Sequence, residues 1–411
     1  MKHAFKILIA ALCLAVSANG FAGQQEKKEE AKFMSPRTAK KLETVQEHFD
    51  KEEFNEALAV LRDLEESSKD NPYEQAVTLQ WIGYVYVNMD EMEKALQYLE
   101  RALRMNELPS SAESAVIYMV AQIYSQLEQY QKVIDLMLDW FKTAEDPPAN
   151  AFLIVANAYS ALEKWQPAYP YISKAVEKAE RKTESWWQLK VTIEFKLDKF
   201  PEAAKTLEVL VAYWPKERYW RMLTGVYMEL GQESKALSAI SAGYEQGMIT
   251  DESDILNLVR LYMMMEVPYQ AGKILEKEIA DERVEGTKKN FELLSTAWIQ
   301  AREYEKGIDA LGRAAALADD GELYLRQAQL YMNVIDHEGA RVAAMKALEK
   351  GGLEDKQKGQ AWLIRGSASA ELKRFSDAEE AFNKARGYQE TRRIATSWLE
   401  FIRTEQSVSQ L

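Results

Sequence analysis

The fold is decided by the stretch Leu79-Gln-Trp-Ile-Gly-Tyr-Val-Tyr-Val-Asn-Met-Asp-Glu-Met-Glu-Lys-Ala-Leu-Gln-Tyr-Leu-Glu-Arg-Ala102. Its small residue Ala95 lies nine residues after Tyr86, and Leu99 and Ala102 follow it at intervals of four and seven. Apolar residues at such intervals mark one face of an α-helix. The stretch therefore predicts two amphipathic helices joined by a short turn, with Ala95 small enough for the second helix to approach the first.

The same pattern recurs along most of the chain. A small or apolar marker residue, three positions after a residue that is usually aromatic, returns ten times in steps of 33 to 38 residues. The ten marker residues are Ala57, Ala95, Val133, Ala168, Ala203, Ala236, Ala271, Gly307, Ala340 and Ala378. A Tyr or Trp precedes most of them by nine residues, but His48, Glu194 and Ser369 occupy this position in the first, fifth and tenth repeats. One helix pair cannot bury its apolar face alone, so the period predicts a stack of repeats.

This pattern resembles the tetratricopeptide repeat, whose units of about 34 residues place aromatic, Leu-Gly, Tyr, Ala and Pro residues in a fixed order. The resemblance is clearest in the quoted stretch and in the repeat from Trp187 to Pro215. It implies an all-α fold, a right-handed α-solenoid of about ten tetratricopeptide helix pairs with a C-terminal capping helix. We expect the solenoid to span residues 39–390, and the capping helix and tail to span 391–411.

The beginning of the chain has the features of an export signal. Residues 1–22 combine a positive start, Lys2 and Lys6, with the short apolar run Ile7–Val16 and small residues suited to cleavage. We therefore expect a signal peptide at 1–22, a flexible leader at 23–38, and a periplasmic protein without a transmembrane span once the signal is removed.

Composition argues against several functional classes. The chain has 411 residues and a formal net charge of −13, which opposes broad binding to nucleic acid. One cysteine and three histidines leave little material for a disulfide or a metal site. The sequence also lacks a phosphate-binding loop, a nucleophile elbow, a zinc-protease motif and a calcium-binding loop. We therefore expect no enzyme activity, no cofactor and no metal.

The first helices of such a stack line a concave groove, and their facing positions give the candidate peptide-binding residues. These positions carry carboxamide, aromatic, Met and basic side chains, which suit an extended protein segment. The candidates are Tyr84, Asn88, Tyr118, Gln122, Asn157, Gln188, Arg221, Met228, Arg260, Met263, Gln329 and Asn333. The alternative is that some of them pack between neighbouring repeats.

Basic residues among the groove positions suggest a more specific hypothesis. They fall in the fifth to eighth repeats and comprise Lys196, Arg218, Arg221, Arg260 and Lys289. Such a patch would receive an acidic segment or a chain terminus. The alternative is that these are scattered, solvated charges.

A narrower resemblance covers about Glu184 to Tyr388. The run Tyr213-Trp-Pro-Lys-Glu-Arg-Tyr-Trp-Arg-Met-Leu-Thr-Gly-Val-Tyr-Met-Glu-Leu-Gly-Gln-Glu233 is similar to exported tetratricopeptide proteins associated with TonB systems of Gram-negative bacteria. This resemblance implies a periplasmic accessory of a TonB–ExbB–ExbD complex that serves outer-membrane uptake of iron–siderophore complexes. The alternative is an assembly or biogenesis factor for outer-membrane proteins, pili or polysaccharide export.

Overall fold

The computed structural model describes residues 33–408, with side chains up to Glu405. This part of the chain contains 21 α-helices and no strand. By contact density the chain divides into two compact units, Met1–Lys199 (unit one) and Phe200–Leu411 (unit two). The predicted signal peptide and residues 23–32 of the predicted leader lie outside the described residues.

The described part of unit one contains nine helices, which form four antiparallel pairs followed by a ninth helix. They are α1 (Pro36–Asp50), α2 (Phe54–Ser67), α3 (Pro72–Asn88), α4 (Met92–Arg104), α5 (Ser110–Gln126), α6 (Tyr130–Trp140), α7 (Ala149–Ala161), α8 (Trp165–Lys178) and α9 (Glu184–Lys196). Asn71 caps α3 by accepting a hydrogen bond from the backbone N–H of Glu74, and Pro72 fits the first helical position.

The described part of unit two contains twelve helices. They are α10 (Phe200–Tyr213), α11 (Glu217–Glu229), α12 (Glu233–Glu245), α13 (Glu252–Met264), α14 (Pro268–Ala280), α15 (Lys288–Gln300), α16 (Tyr304–Leu317), α17 (Glu322–Asn333), α18 (His337–Lys350), α19 (Asp355–Glu371), α20 (Phe375–Ala385) and α21 (Arg392–Val408). Helices α11 to α20 make five consecutive pairs, and α21 is the last helix. The predicted all-α solenoid is confirmed. Within residues 33–408, no helix combines the length and apolar character that a membrane span needs.

The turn inside each pair has one conformation throughout. The residue two positions before every second helix has a positive φ. The N–H of the residue after it donates a hydrogen bond to the carbonyl near the end of the first helix, nine residues before the marker. In the second pair, Asp90 has φ 63° and the Glu91 N–H lies 2.9 Å from the Tyr86 oxygen. The ten left-handed residues are Glu52, Asp90, Glu128, Glu163, Asp198, Gly231, Glu266, Arg302, Ile335 and Lys373. This closure ends the first helix and sets the direction of the second.

Small residues allow the two helices of a pair to approach closely. All ten second helices begin three residues before the marker, and every marker is buried. On the facing side, a Cβ added to Gly83 would lie 2.4 Å from Leu99 Cδ2. A glycine in the first helix and an alanine in the second therefore allow the contact that the sequence pattern predicts.

The three repeats without the usual aromatic residue use other contacts there. Glu194 is fully buried and forms an ion pair with Lys190 one helical turn earlier. His48 Nδ1 lies 2.7 Å from Glu53 Oε2. Ser369 is small and buried, next to the helix face where Gly366 leaves room for another side chain. A paired polar side chain or a small buried one thus replaces the aromatic side chain in these three repeats, and the turn keeps its conformation.

Helix α21 covers the end of the last pair in unit two. The Trp398 ring stacks on Phe382, with centroids 5.4 Å apart and planes 10° apart, and Leu399 and Ile402 are buried. Phe401 is half exposed and touches the edge of Trp398. The capping contact therefore comes from Trp398, Leu399 and Ile402, and Phe401 lies at its edge.

Candidate functional site

Unit two contains a cavity of about 420 Å³ between α11 and α13, which are the first helices of consecutive pairs. Three of the candidate groove residues, Arg221, Met228 and Arg260, line it together. Ile240 and Ile249 also line the cavity, and both are buried. The groove positions of two neighbouring first helices therefore form one concave site.

Arg221 is held by carboxylates from both sides of this cavity. Its guanidinium donates to Asp254 at 2.8 Å, and to Glu217 and Asp251 at 3.0 Å each. The hydrogen bond to Asp254 is the largest cause that raises the pKa of Arg221 above its usual value. The predicted basic patch is therefore wrong at this position, because the Arg221 charge is already matched by three acidic neighbours. Arg218 likewise donates to the Tyr219 hydroxyl.

The rest of the cavity lining combines exposed thioethers with an amide and a guanidinium. Met228 is 38% exposed and Met264 is 51% exposed. Arg260 is exposed and donates to Asn257 Oδ1 at 3.1 Å. Met adapts to varied apolar shapes, whereas Asn and Arg bind backbone carbonyls or a carboxylate. This lining suits an extended segment with apolar side chains. The candidate Met263 is only partly buried and is not in the lining.

Three candidates in unit one are mainly packing residues, contrary to their expected place in an open groove. Tyr84 is buried, and its hydroxyl accepts a hydrogen bond from Gln80 at 2.7 Å. Asn88 donates to the carbonyl of Tyr84 at 2.9 Å. Tyr118 packs edge-on against Trp140, and burial of the phenol raises its pKa to about 12. Aromatic neighbours pack against the two tyrosines, and Asn88 bonds to the backbone of its own helix.

The other candidates lie on first helices and do not line this cavity. Asn157, Gln329 and Asn333 are exposed. Gln122 is partly buried, and Gln188 donates to Glu184 at 2.9 Å. The groove pattern in the sequence did not predict Asn257, Ile240 and Ile249 as lining residues. Asn257 is a further polar residue on a predicted first helix, but the isoleucines come from α12 and the loop after it, which the groove pattern ignores.

Stacked helix pairs with a concave site between first helices are the architecture of a helical-repeat protein. Residues 76–107 match the tetratricopeptide repeat family. This segment covers most of α3 and all of α4, and the other pairs repeat its turn and its marker. The described helix pairs therefore have the tetratricopeptide repeat fold, and this fold suggests a scaffold for protein–protein interaction. Proteins of this type are typically non-enzymatic.

Several solved structures are similar to parts of the chain. A fragment of MamA from Desulfovibrio magneticus RS-1 is 16% identical with a TM-score of 0.37, covering 44% of this chain and 96% of the fragment. YrrB, described as a TPR protein with an unusual peptide-binding site, is 17% identical with a TM-score of 0.36, covering 44% and 91%. The TPR2AB domain of yeast Sti1, in a complex with pHSP90, is 17% identical with a TM-score of 0.29, covering 64% and 96%. No curated protein matches this chain in sequence.

Proposed function

We propose that this protein is a non-enzymatic periplasmic scaffold that holds an extended protein segment in the cavity between α11 and α13. We further propose that it is an accessory of a TonB–ExbB–ExbD system that supports outer-membrane uptake of iron–siderophore complexes. The binding role rests on the cavity that Arg221, Met228 and Arg260 line together. The TonB association rests on the resemblance of residues 184–388, and the periplasmic location rests on the signal-like start at 1–22.

The cavity lining favours a segment that is apolar and not strongly acidic. Arg221 is outnumbered by its three carboxylate neighbours, so Arg260 is the lining cation that remains for a ligand. One guanidinium suits a single backbone carbonyl or a single carboxylate. The exposed Met228 and Met264 suit apolar side chains on either side of that contact.

Photocrosslinking from the cavity tests the binding role. A photoreactive amino acid replaces Met228 in the full chain within the native cells, and a matched protein carries it at Ser238, which is exposed on α12 outside the cavity. We expect crosslinks to a periplasmic segment of TonB, ExbB or ExbD from position 228 only. Crosslinks of equal yield from both positions would contradict binding in the cavity.

The same experiment separates the two parts of the proposal. A specific crosslink from position 228 to an unrelated exported protein would support the scaffold and contradict the TonB association. Growth gives an independent test, in which a deletion strain uses a ferric siderophore as its sole iron source. We expect slower growth that the intact gene restores, and unimpaired growth with every TonB-dependent siderophore would overturn the association.

A further inference from the structure

We propose that a second site, on the face of unit two away from the α11–α13 cavity, receives a Lys or Arg side chain of a partner protein. The site is a crevice of about 680 Å³ between α16 and α18, which are consecutive second helices. Helix α17 lies between them and provides Gln327 and Tyr331 to the lining. We call it the acidic crevice, because three carboxylates line it at one end.

Charge is distributed unevenly along the acidic crevice. Because neighbouring helices are antiparallel, α16 and α18 run in the same direction. Glu305, Asp309 and Asp336 therefore lie at the end where both helices begin, and the two basic lining residues, Arg313 and Lys346, lie towards the other end. A cationic side chain is favoured at the end where the carboxylates converge.

The carboxylates at this end have room for a partner's charge. Glu305 and Asp309 form no ion pair within residues 33–405, and both are exposed. Asp336 uses Oδ1 to cap α18 by accepting from the Gly339 N–H at 2.8 Å. Arg313 instead lies over the Phe291 ring, 4.2 Å from its centroid, and Lys346 lies 5.7 Å from that of Tyr324. The basic residues of the lining thus have aromatic neighbours and leave the carboxylates unmatched.

A buried amide provides an independent indication of a ligand. Gln327 is 92% buried (8% exposed), and its Nε2 donates to the Ile308 carbonyl at 3.0 Å. Its Oε1 accepts no hydrogen bond from the described residues, although the side chain lines the crevice. The amide fits there because Gly312 has no side chain, and a Cβ at Gly312 would lie 2.4 Å from Nε2. The Gln327 Oε1 atom can therefore accept a hydrogen bond from an N–H group of a cationic ligand in the crevice.

An apolar edge borders the acidic end. Val334 lines the crevice, and its neighbour Ile335 is 74% exposed. Ile335 also has φ 64°, a left-handed conformation that is rare for a β-branched residue. Val334 and Ile335 together give the acidic end an apolar border, whereas the left-handed conformation itself is common to all ten turns. The partner segment therefore carries a large apolar side chain next to its Lys or Arg.

Dye-labelled hexapeptides test this site by fluorescence anisotropy on the full chain. The probes are Gly-Ser-Leu-Xaa-Ser-Gly with Arg, Lys, Gln or Glu at Xaa, and the Arg peptide with Ser in place of Leu. We expect the Arg and Lys peptides to bind about tenfold more tightly than the Glu peptide, and less tightly at high salt. Equal binding of the Arg and Glu peptides, or no measurable binding of any peptide, would overturn the proposal.

Matched variants locate the binding. The double variant Glu305→Gln, Asp309→Asn keeps the side-chain shapes and should weaken Arg-peptide binding about tenfold. Ile335→Ser should weaken binding of the Arg peptide that contains Leu, but not of the Arg peptide in which Ser replaces Leu. Glu276→Gln, which changes an exposed carboxylate that lines neither the acidic crevice nor the α11–α13 cavity, should change neither. Circular dichroism checks that each variant is folded, and Arg-peptide binding that persists in the folded double variant would refute the assignment.

Discussion

The substitution Ile335→Gly should stabilise unit two, although it removes a large side chain. Ile335 occupies the left-handed position of the turn between α17 and α18, with φ 64°. In this conformation the Cβ of an L-residue crowds the backbone, and branching at Cβ adds to the crowding. Glycine has no Cβ and adopts the conformation without this cost.

The expected gain follows from three contributions. A β-branched residue in the left-handed region costs about 2–3 kcal/mol, the upper part of the range for such strain. Ile335 is 74% exposed, so only about a quarter of its possible burial is lost, or about 0.5 kcal/mol. The greater freedom of glycine in the unfolded chain costs about 0.5–1 kcal/mol. The free energy of unfolding should therefore rise by about 1 kcal/mol.

Urea unfolding followed by circular dichroism measures this change as a higher midpoint for Ile335→Gly. Two controls keep the chemistry matched. Ile335→Val retains the branching and should leave the midpoint unchanged. Gly231→Ile introduces the same strain at the equivalent turn, where φ is 63° and an added Cβ meets no neighbour within 4 Å, and should lower it. A lower midpoint for Ile335→Gly, together with an unchanged one for Gly231→Ile, would refute the reasoning.

Two further predictions concern packing and pH. A Cβ on Gly366 would lie 2.7 Å from the buried ring of Phe382, so Gly366→Ala should destabilise the protein by about 1–3 kcal/mol, measured by urea unfolding. Its control, Gly225→Ala in open space on α11, should stabilise by about 0.5–1 kcal/mol, and the opposite signs would contradict the packing account. Burial, and then the hydrogen bond to Glu208, raise the pKa of Tyr227 from 10.0 to about 12. The folded state thus retains a proton that the unfolded state loses, so stability present below pH 10 should decline as pH rises towards about 12. Tyr227→Phe should reduce that decline in a pH series of urea midpoints, and an unchanged decline would count against it.

The positions of the helices follow from the sequence because the repeat period is strong. Each second helix begins three residues before its marker, as in Phe54 for Ala57 and Phe375 for Ala378. The left-handed turn residues were not predicted. Glycine and asparagine are the usual signals for that conformation, and only Gly231 among the ten provides one. In the other nine turns, the geometry is imposed by the helices on either side.

The sequence predicts a residue of the candidate site correctly only where the solvent exposure of its side chain is set by its own helix and not by a neighbouring repeat. Arg221, Met228 and Arg260 lie together because equivalent positions of neighbouring repeats face the same way. The carboxylates around Arg221 were missed, since Asp251 and Asp254 belong to the next repeat and spacing within one repeat does not show them. Contacts between repeats decide which groove positions remain open.

The ten turns also affect how the gene can change. Each is closed by a hydrogen bond between main-chain atoms, from an N–H beside the left-handed residue to a carbonyl of the first helix. Such a junction does not depend on a particular codon, so an in-frame duplication or deletion of one repeat recreates a turn of the same kind. Homologous genes should therefore differ in length by whole repeats, in steps close to the 33 to 38 codons seen here.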